Sequence, residues 1–244
     1  MVLPTYNERD RLAELVNALF DEASRAGLEL EVVVVDDHSP DGTGRIADEL
    51  AQTRRMQVIH RAGKLGLGTA VVAGFRVATA ATVGVMDADF SHPPSLVPRL
   101  YAAMRAHDAD LVVGSRYVPG GSTPDWPLKR RVLSRAACLL ARPLSPIRDA
   151  ASGFFLLRAA IARDVVIKAG GFKICLELLV RAWPTRLVEL PYRFDDRELG
   201  ESKMSLREAA GYLVQLRDLY VLRWSTRRPP REYRVVTGGQ RKAP

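Results

Sequence analysis

The stretch Leu30-Glu31-Val32-Val33-Val34-Val35-Asp36-Asp37 constrains the fold more than any other part of the chain. Four consecutive β-branched apolar residues without polar alternation fit a strand covered on both faces, the habit of parallel sheets packed between helices. Two carboxylates cannot follow the valines into such an interior without a large desolvation cost, so the strand must stop and leave them at the sheet edge. The pattern recurs. Thr82 to Met86 runs into Asp87-Ala88-Asp89, and Asp110 to Val113 runs into Gly114-Ser115-Arg116. Gln57 to His60 reads as another short strand. Residues 8–26 carry Leu12, Leu15, Val16, Leu19 and Phe20 at helical spacing, and further helices are predicted from Thr43 to about Thr53, over 67–79 and from Ser95 to His107. Such alternation implies a mostly parallel sheet with helices on both faces. Ligands of open sheets of this kind bind beyond the carboxyl ends of the strands, and three polar clusters at three strand ends describe a nucleotide site.

Charge narrows the partner. The 244 residues, enough for one large domain or two small ones, have a formal net charge of +8, and 30 of the 36 basic residues are Arg. That surplus favours an anionic partner: nucleic acid, phosphorylated substrate or anionic lipid. Paired acids at strand ends oppose nucleic acid. Cys138 and Cys175 stand in no CxxC or Cys/His cluster, so neither a zinc site nor a disulfide scaffold is signalled, and a reducing cytosol fits. Residues 65–86 carry one charge, Arg76, but Gly66, Gly68, Gly74 and Gly84 interrupt them, so they read as a helix followed by a buried strand rather than a membrane span. The first strand begins almost at Met1, so it is expected to be unusually short.

After residue 120 the character changes. Lys129-Arg130-Arg131 opens an acid-free amphipathic helix over 129–144, with Arg131, Arg135 and Arg142 on one side and Val132, Ala136, Leu139 and Leu140 on the adjoining face. A basic apolar helix of this kind fits a membrane surface; the alternative is a helix packed on the core with its arginines in solvent. A second amphipathic helix is predicted over 205–225. Residues 226–244, with Pro229-Pro230 and Gly238-Gly239, are expected to lack fixed structure. Asp87 and Asp89, leaving one buried strand at i and i+2, can reach one hard cation. Magnesium takes one or two carboxylates plus substrate phosphates, and a cation neutralises a departing diphosphate. Solvated loop acids share the same spacing, so the pair alone is a weak signal.

Its context is stronger. Leu3-Pro4-Thr5-Tyr6-Asn7-Glu8, Val33 to Thr43, Met86 to Pro94 and Gly114 to Tyr117 occur in that order, and together they resemble the family 2 inverting glycosyltransferases of the GT-A, Rossmann-like α/β fold. Gly120-Gly121, the basic helix, Asp149 with Ser152-Gly153-Phe154, Gly171-Phe172-Lys173, and Phe194-Asp195-Asp196-Arg197 through Ser202-Lys203 resemble a narrower group, the polyprenyl-phosphate (dolichyl-phosphate) mannose synthases. The resemblance implies a catalytic domain over 1–204 that moves mannose from GDP-mannose to a polyprenyl monophosphate. It implies that Pro4, Tyr6, Glu8, Val35 and Asp37 meet the nucleotide, with Asp37 accepting from guanine. Asp87, Asp89 and Ser91 would hold Mg²⁺ or Mn²⁺. Arg116, Arg130, Arg131 and Ser202 would serve phosphate, and Arg197 and Lys203 a loop closing over the acceptor. For Ser39 and Thr43 a turn or helix-cap role is expected.

Two departures matter. Ala150-Ala151 stands where the group has Pro-Met, and the C-terminal transmembrane helices of some members are not seen. The resemblance then implies a peripheral protein on the cytoplasmic face of an anionic membrane, working in actinobacteria with an integral membrane partner. The absence of an evident catalytic base is intelligible. A sugar hydroxyl needs one, but a phosphate monoester, with a second pKa near 6, is already an anionic nucleophile. Arginine, which grips phosphate with two parallel donors, suits the remaining task of holding two phosphates close together. UDP-glucose as donor, or another acceptor, stays open at this point.

Overall fold

The computed structural model describes residues 1–163, 165–167, 173–195 and 206–237. The expected alternation is present. Strand β1 (Val2–Thr5) leads to α1 (Arg9–Arg25), β2 (Val32–Asp36) to α2 (Thr43–Ala51), β3 (Met56–His60) to α3 (Leu67–Val77), and β4 (Thr82–Val85) to α4 (Leu96–Ala106). Then come β5 (Leu111–Ser115), α5 (Leu128–Ala141), β6 (Phe155–Arg158), α6 (Ala159–Arg163), α7 (Ile174–Arg181), β7 (Arg186–Pro191), α8 (Leu206–Ser225) and β8 (Glu232–Val235). One eight-stranded sheet has the order β3-β2-β1-β4-β6-β5-β7-β8. All pairings are parallel except those of β6, which runs antiparallel between β4 and β5.

The valine run behaves as two cores require. Val33 and Val35 face one side with Val2, Phe75, Val85 and the later helices, while Val32 and Val34 face the other with Leu3, Leu12, Leu15 and Leu100. Alternate side chains of a strand point to opposite faces, so four valines in a row supply both interiors. All four are fully buried, each worth roughly 1.5–3 kcal/mol relative to exposure.

Three strands were not legible beforehand. β6 is antiparallel and therefore brings its start, Ser152 to Phe154, to the edge where β4 and β5 finish. β7 extends that edge with Tyr192 to Asp195. Within the stretch expected to lack structure from 226 onward, Glu232–Val235 instead forms β8 along β7. The correction has a physical reason: the unpaired side of β7 offers a row of backbone donors and acceptors, and Trp183 and Arg231 anchor the incoming chain.

Asp110 ties β5 to the start of β7. Its Oδ2 accepts from the Thr185 N–H (2.9 Å), the Thr185 hydroxyl (2.8 Å) and the Arg186 N–H (3.0 Å), and its Oδ1 from Arg186 Nη2 (3.1 Å). Burial alone would raise its pKa, but these donors more than offset that and hold it below the ordinary carboxylate value. A carboxylate with a lower folded pKa contributes stability in full above its unfolded pKa of about 3.9 and loses it as pH falls through the folded value. Urea unfolding of Asp110→Asn and wild type from pH 7 to pH 3 therefore shows the largest gap at pH 7, narrowing only below about pH 4.

Candidate active site

The site lies along the carboxyl edge of the parallel strands and has three corners. At the first, Asp36 and Asp37 diverge. Asp36 takes hydrogen bonds from Thr5 Oγ1 (3.0 Å) and from the N–H and hydroxyl of Ser39, so it braces the turn. Ser39 and Thr43 in turn accept the N–H groups of Asn7 and Glu8, each at 3.0 Å, which fixes the loop carrying Tyr6. The turn role expected of both hydroxyls is thus tied to the loop that carries Tyr6. Asp37 instead faces Arg61, whose Nη1 lies 2.9 Å from its Oδ1 in an ion pair without a well-aligned hydrogen bond. Burial pushes the Asp37 pKa up, and Arg61 with the N–H groups of Leu65 and Gly66 pulls only part of the way back. Tyr6 is on the surface under the Lys64 ammonium, 4.1 Å from the ring centre, and Pro4 pairs with Val35 in the sheet. The Val35 side chain is sealed in the core and offers a ligand no surface.

The second corner follows β4. The Asp89 carboxylate accepts from the N–H (3.0 Å) and hydroxyl of Ser91, and its carbonyl oxygen accepts from Arg11 Nη1 (2.9 Å). Asp87 is 38% exposed, and its N–H donates to His92 Nδ1 (3.1 Å). That bond requires the neutral imidazole. Burial first of all keeps the His92 pKa low, against the pull of Asp87 and Asp89. Phe154, Tyr192 and Phe194 surround the ring. Gly153 leaves room beside the carboxylate: a β-carbon there would stand 3.5 Å from both Asp87 oxygens. Among the described residues no cluster of three or more His, Cys, Asp or Glu forms. The exposed Asp87 carboxylate two residues from Asp89 fits a divalent cation that draws its other ligands from substrate phosphates.

The third corner is cationic. Arg116 follows β5 and forms a forked pair with Asp149, through Nε to Oδ2 and Nη2 to Oδ1, both 2.7 Å, while its N–H also donates to Oδ2 (2.9 Å). Burial works against its charge, and Asp149 more than offsets this, so its pKa is raised further. Trp126 has two guanidiniums over its ring, Arg130 4.0 Å and Arg116 5.2 Å from its centre. Arg131 Nε donates to the Trp126 carbonyl (3.1 Å), and Tyr117 donates or accepts across 2.6 Å to Ser134. Arg116, Tyr117, Thr123, Arg131 and Arg135 line a cleft of about 180 Å³. Its wall is a close approach: a β-carbon on Gly121 would fall 2.5 Å from the Ser115 carbonyl oxygen. Lys173 belongs to the same charge cluster; burial and Arg116 lower its pKa, while Asp149 and Asp87 oppose them.

The chain matches glycosyl transferase family 2 over residues 1–176. It is 38% identical over 235 residues to the dolichol-phosphate mannosyltransferase of Saccharomyces cerevisiae, covering 92% of this chain and 87% of that one. It is 41% identical over 234 residues to the undecaprenyl-phosphate mannosyltransferase of Micrococcus luteus, covering 91% and 92%. The chain belongs to glycosyl transferase family 2, in its dolichol- and polyprenol-phosphate mannosyltransferase branch. The dolichol-phosphate mannosyltransferase of Pyrococcus furiosus is 40% identical over 229 residues, covering 92% of this chain, but the chain spans only 63% of that protein's length. In fold it is similar to PcManGT, a mannosyltransferase of Pyrobaculum calidifontis solved with GDP-Man and Mn²⁺, with a TM-score of 0.66, 19% identity, and coverage of 94% of this chain and 64% of that one. The GT-A fold is therefore as expected, and the chain is a glycosyltransferase.

The structure brings Asp37, Asp87, Asp89, Ser91, Arg116, Arg130 and Arg131 to one edge. Arg197, Ser202 and Lys203 lie outside the described residues. Sequence reasoning did not single out Arg61, His92, Trp126 or Ser134, and it gave Asp149 no role. Arg61 had the same signal as Asp37, a charge directly after a strand. Trp126 had only its position just ahead of the basic helix. The geometry separates two kinds of carboxylate. Replacing Asp149 with Ala leaves a buried guanidinium uncompensated and costs about 3–5 kcal/mol in urea unfolding. Asp87→Asn, at a half-exposed group, costs under about 1 kcal/mol.

Proposed function

We propose that the chain transfers mannose from GDP-mannose to a polyprenyl monophosphate with inversion at the anomeric carbon. One observation carries the reading: the Asp87/Asp89 corner and the Arg116/Trp126 corner flank the same buried His92 and Phe194, so acidic and cationic groups stand side by side. The identity to polyprenol-phosphate mannosyltransferases supports the choice of donor and acceptor. Asp37 and Arg61 offer an acceptor and donors to the base, and the loop of Tyr6 and Glu8 borders it.

Asp87, Asp89 and Ser91 would hold Mg²⁺ or Mn²⁺, which when bound neutralises the diphosphate that leaves. Arg116 and Arg130 hold the acceptor phosphate as a dianion. The aromatic face of Trp126 orients both cations without neutralising either. A phosphate oxygen, already charged near pH 7, attacks the sugar directly, so no residue has to remove a proton. Arg197, Lys203 and Ser202 are assigned to the loop that completes this cradle over the acceptor, within a catalytic domain of residues 1–204. With radiolabelled GDP-mannose and a polyprenyl phosphate, labelled lipid forms, excess EDTA abolishes it, and Asp89→Ala is folded but inactive. Turnover undiminished in EDTA, or a preference for UDP-glucose, overturns the corresponding part of the proposal.

The acceptor lives in a membrane. Among the described residues no helix is long and apolar enough to cross one. Instead, α5 buries only Cys138 and Ala141, while Val132, Leu139 and Leu140 are 58%, 70% and 50% exposed. Helix α8 lies alongside, with the Tyr212 and Tyr220 hydroxyls donating to the Ala137 and Leu140 carbonyls of α5 (2.7 and 2.6 Å). It exposes Leu213, Val214, Val221 and Trp224. A core-packed α5 would have hidden these side chains. The paired helices support docking on the cytoplasmic face of an anionic bilayer, or on an integral membrane partner there. The protein should cosediment with anionic liposomes, less so in high salt, and Arg131, Arg135 and Arg142 all changed to Glu should leave it in the supernatant. Unchanged cosedimentation of that triple variant removes α5 from the contact.

A further inference from the structure

The family 2 match ends at residue 176, yet the chain beyond it reaches back beneath Arg116. Glu189 sits on β7 with no exposed surface. Its Oε1 accepts the Asp149 N–H (3.0 Å), and its Oε2 accepts the Arg148 N–H (2.8 Å) and the Tyr233 hydroxyl of β8. An ionised carboxylate in such a place is costly, and burial pushes the Glu189 pKa up; the two backbone donors and the phenol work against that rise. Arg231, two residues before Tyr233, grips the same loop from its other end. Its guanidinium stacks on Trp183 at 3.5 Å and donates to the carbonyls of Leu144 (3.0 Å), Pro184 (3.2 Å) and Leu179. The Trp183 indole N–H donates to the Pro229 carbonyl (3.1 Å) and pins the tail where it enters. The loop over 144–149 is thus held at Leu144 by Arg231 and at Arg148 and Asp149 by Glu189, and Asp149 is the residue that aligns Arg116.

We propose that Glu189, with Tyr233 of the C-terminal strand, is a positioning residue for Arg116, acting through the backbone of Asp149. β8 then does more than add an edge to the sheet: it is a strap that sets where the cationic corner points. Glutamate suits the task because both loop N–H groups need an acceptor, and glutamine would present one of them with a donor. Tyr233 leaves one Glu189 oxygen oriented toward the loop and satisfies the remaining lone pair of the other. A purely structural role would change melting temperature alone; a positioning role changes Arg116.

The kinetic arm rests on the function proposed above, in which Arg116 meets the acceptor phosphate. Tyr233→Phe is expected to lower kcat/KM for polyprenyl phosphate about tenfold, and Glu189→Gln by more, while calorimetric GDP affinity stays within about twofold of wild type. The second arm needs no turnover. The Arg116 Nε–H signal, identified in arginine-labelled protein by its loss in Arg116→Lys, should exchange with water about tenfold faster in both variants, since its lock on Asp149 loosens. Tyr233→Phe keeps the test open if Glu189→Gln fails to fold. Unchanged Nε–H exchange in Tyr233→Phe overturns the proposal, as does a loss of GDP affinity matching the loss of acceptor kcat/KM. If wild type transfers no mannose to polyprenyl phosphate, the functional reading falls, and the exchange arm still decides the positioning role.

Discussion

The forked pair between Arg116 and Asp149 is where the site and the scaffold meet. Both groups are withdrawn from water, and a buried ion pair stands only when geometry and extra hydrogen bonds offset the desolvation of each charge. Here Asp149 accepts three bonds from Arg116 and has its own backbone held by Glu189. The pair joins the end of β5 to the loop that leads into β6, and Glu189 joins that loop to β7. Three neighbouring strands thereby fix one guanidinium. The arrangement leaves Arg116 permanently charged beside aromatic faces rather than in solvent, the condition under which a cation acts most strongly on a phosphate.

Two buried cations at this edge have an acid of their own, Arg116 with Asp149 and Arg61 with Asp37. Of the two acids after β4, Asp87 keeps its exposure and Asp89 is buried. The cations gather after β5 and at the start of α5, on the faces of Trp126. His92 lies between, neutral and wrapped in rings, and separates the two without pairing fully with either. Carboxylates that serve structure, Asp36, Asp110 and Glu189, are instead saturated by N–H and hydroxyl donors. Asp89 resembles them in being buried and in accepting the N–H and hydroxyl of Ser91, so exposure is what sets Asp87 apart.

The surface carries a second division. Of thirteen large apolar side chains exposed among the described residues, five are on α5 and four on α8. Scattered exposed leucines need no explanation, but nine on two adjoining helices form a patch of the kind that marks an interaction surface. The same helix that starts with Arg130 and Arg131 at the cationic corner continues with Val132, Leu139 and Leu140, so the cationic corner and the exposed apolar surface are two parts of one element.

Much of this was legible in the residues. The valine run ending in Asp36-Asp37, and the runs ending in Asp87 and in Arg116, required a buried parallel sheet with polar groups at its edge, because neither β-branched runs nor unpaired charges tolerate the opposite environment. The helices between them followed from spacing alone, and the amphipathic 129–144 segment was visible as such. The residues could not say which face of that helix would be covered, since a core and a membrane ask for the same pattern; only the packing of α5 against α8 left its apolar side open. β6, β7 and β8 were missed because a four-residue apolar run is ambiguous by itself and Glu189 and Tyr233 interrupt the pattern with groups whose partners are 40 and 44 residues away. Sequence by itself determined which groups stand at the sheet edge, because that depends on local burial. Tertiary structure alone decided which of them are braced and which are available, because that depends on donors brought from distant parts of the chain.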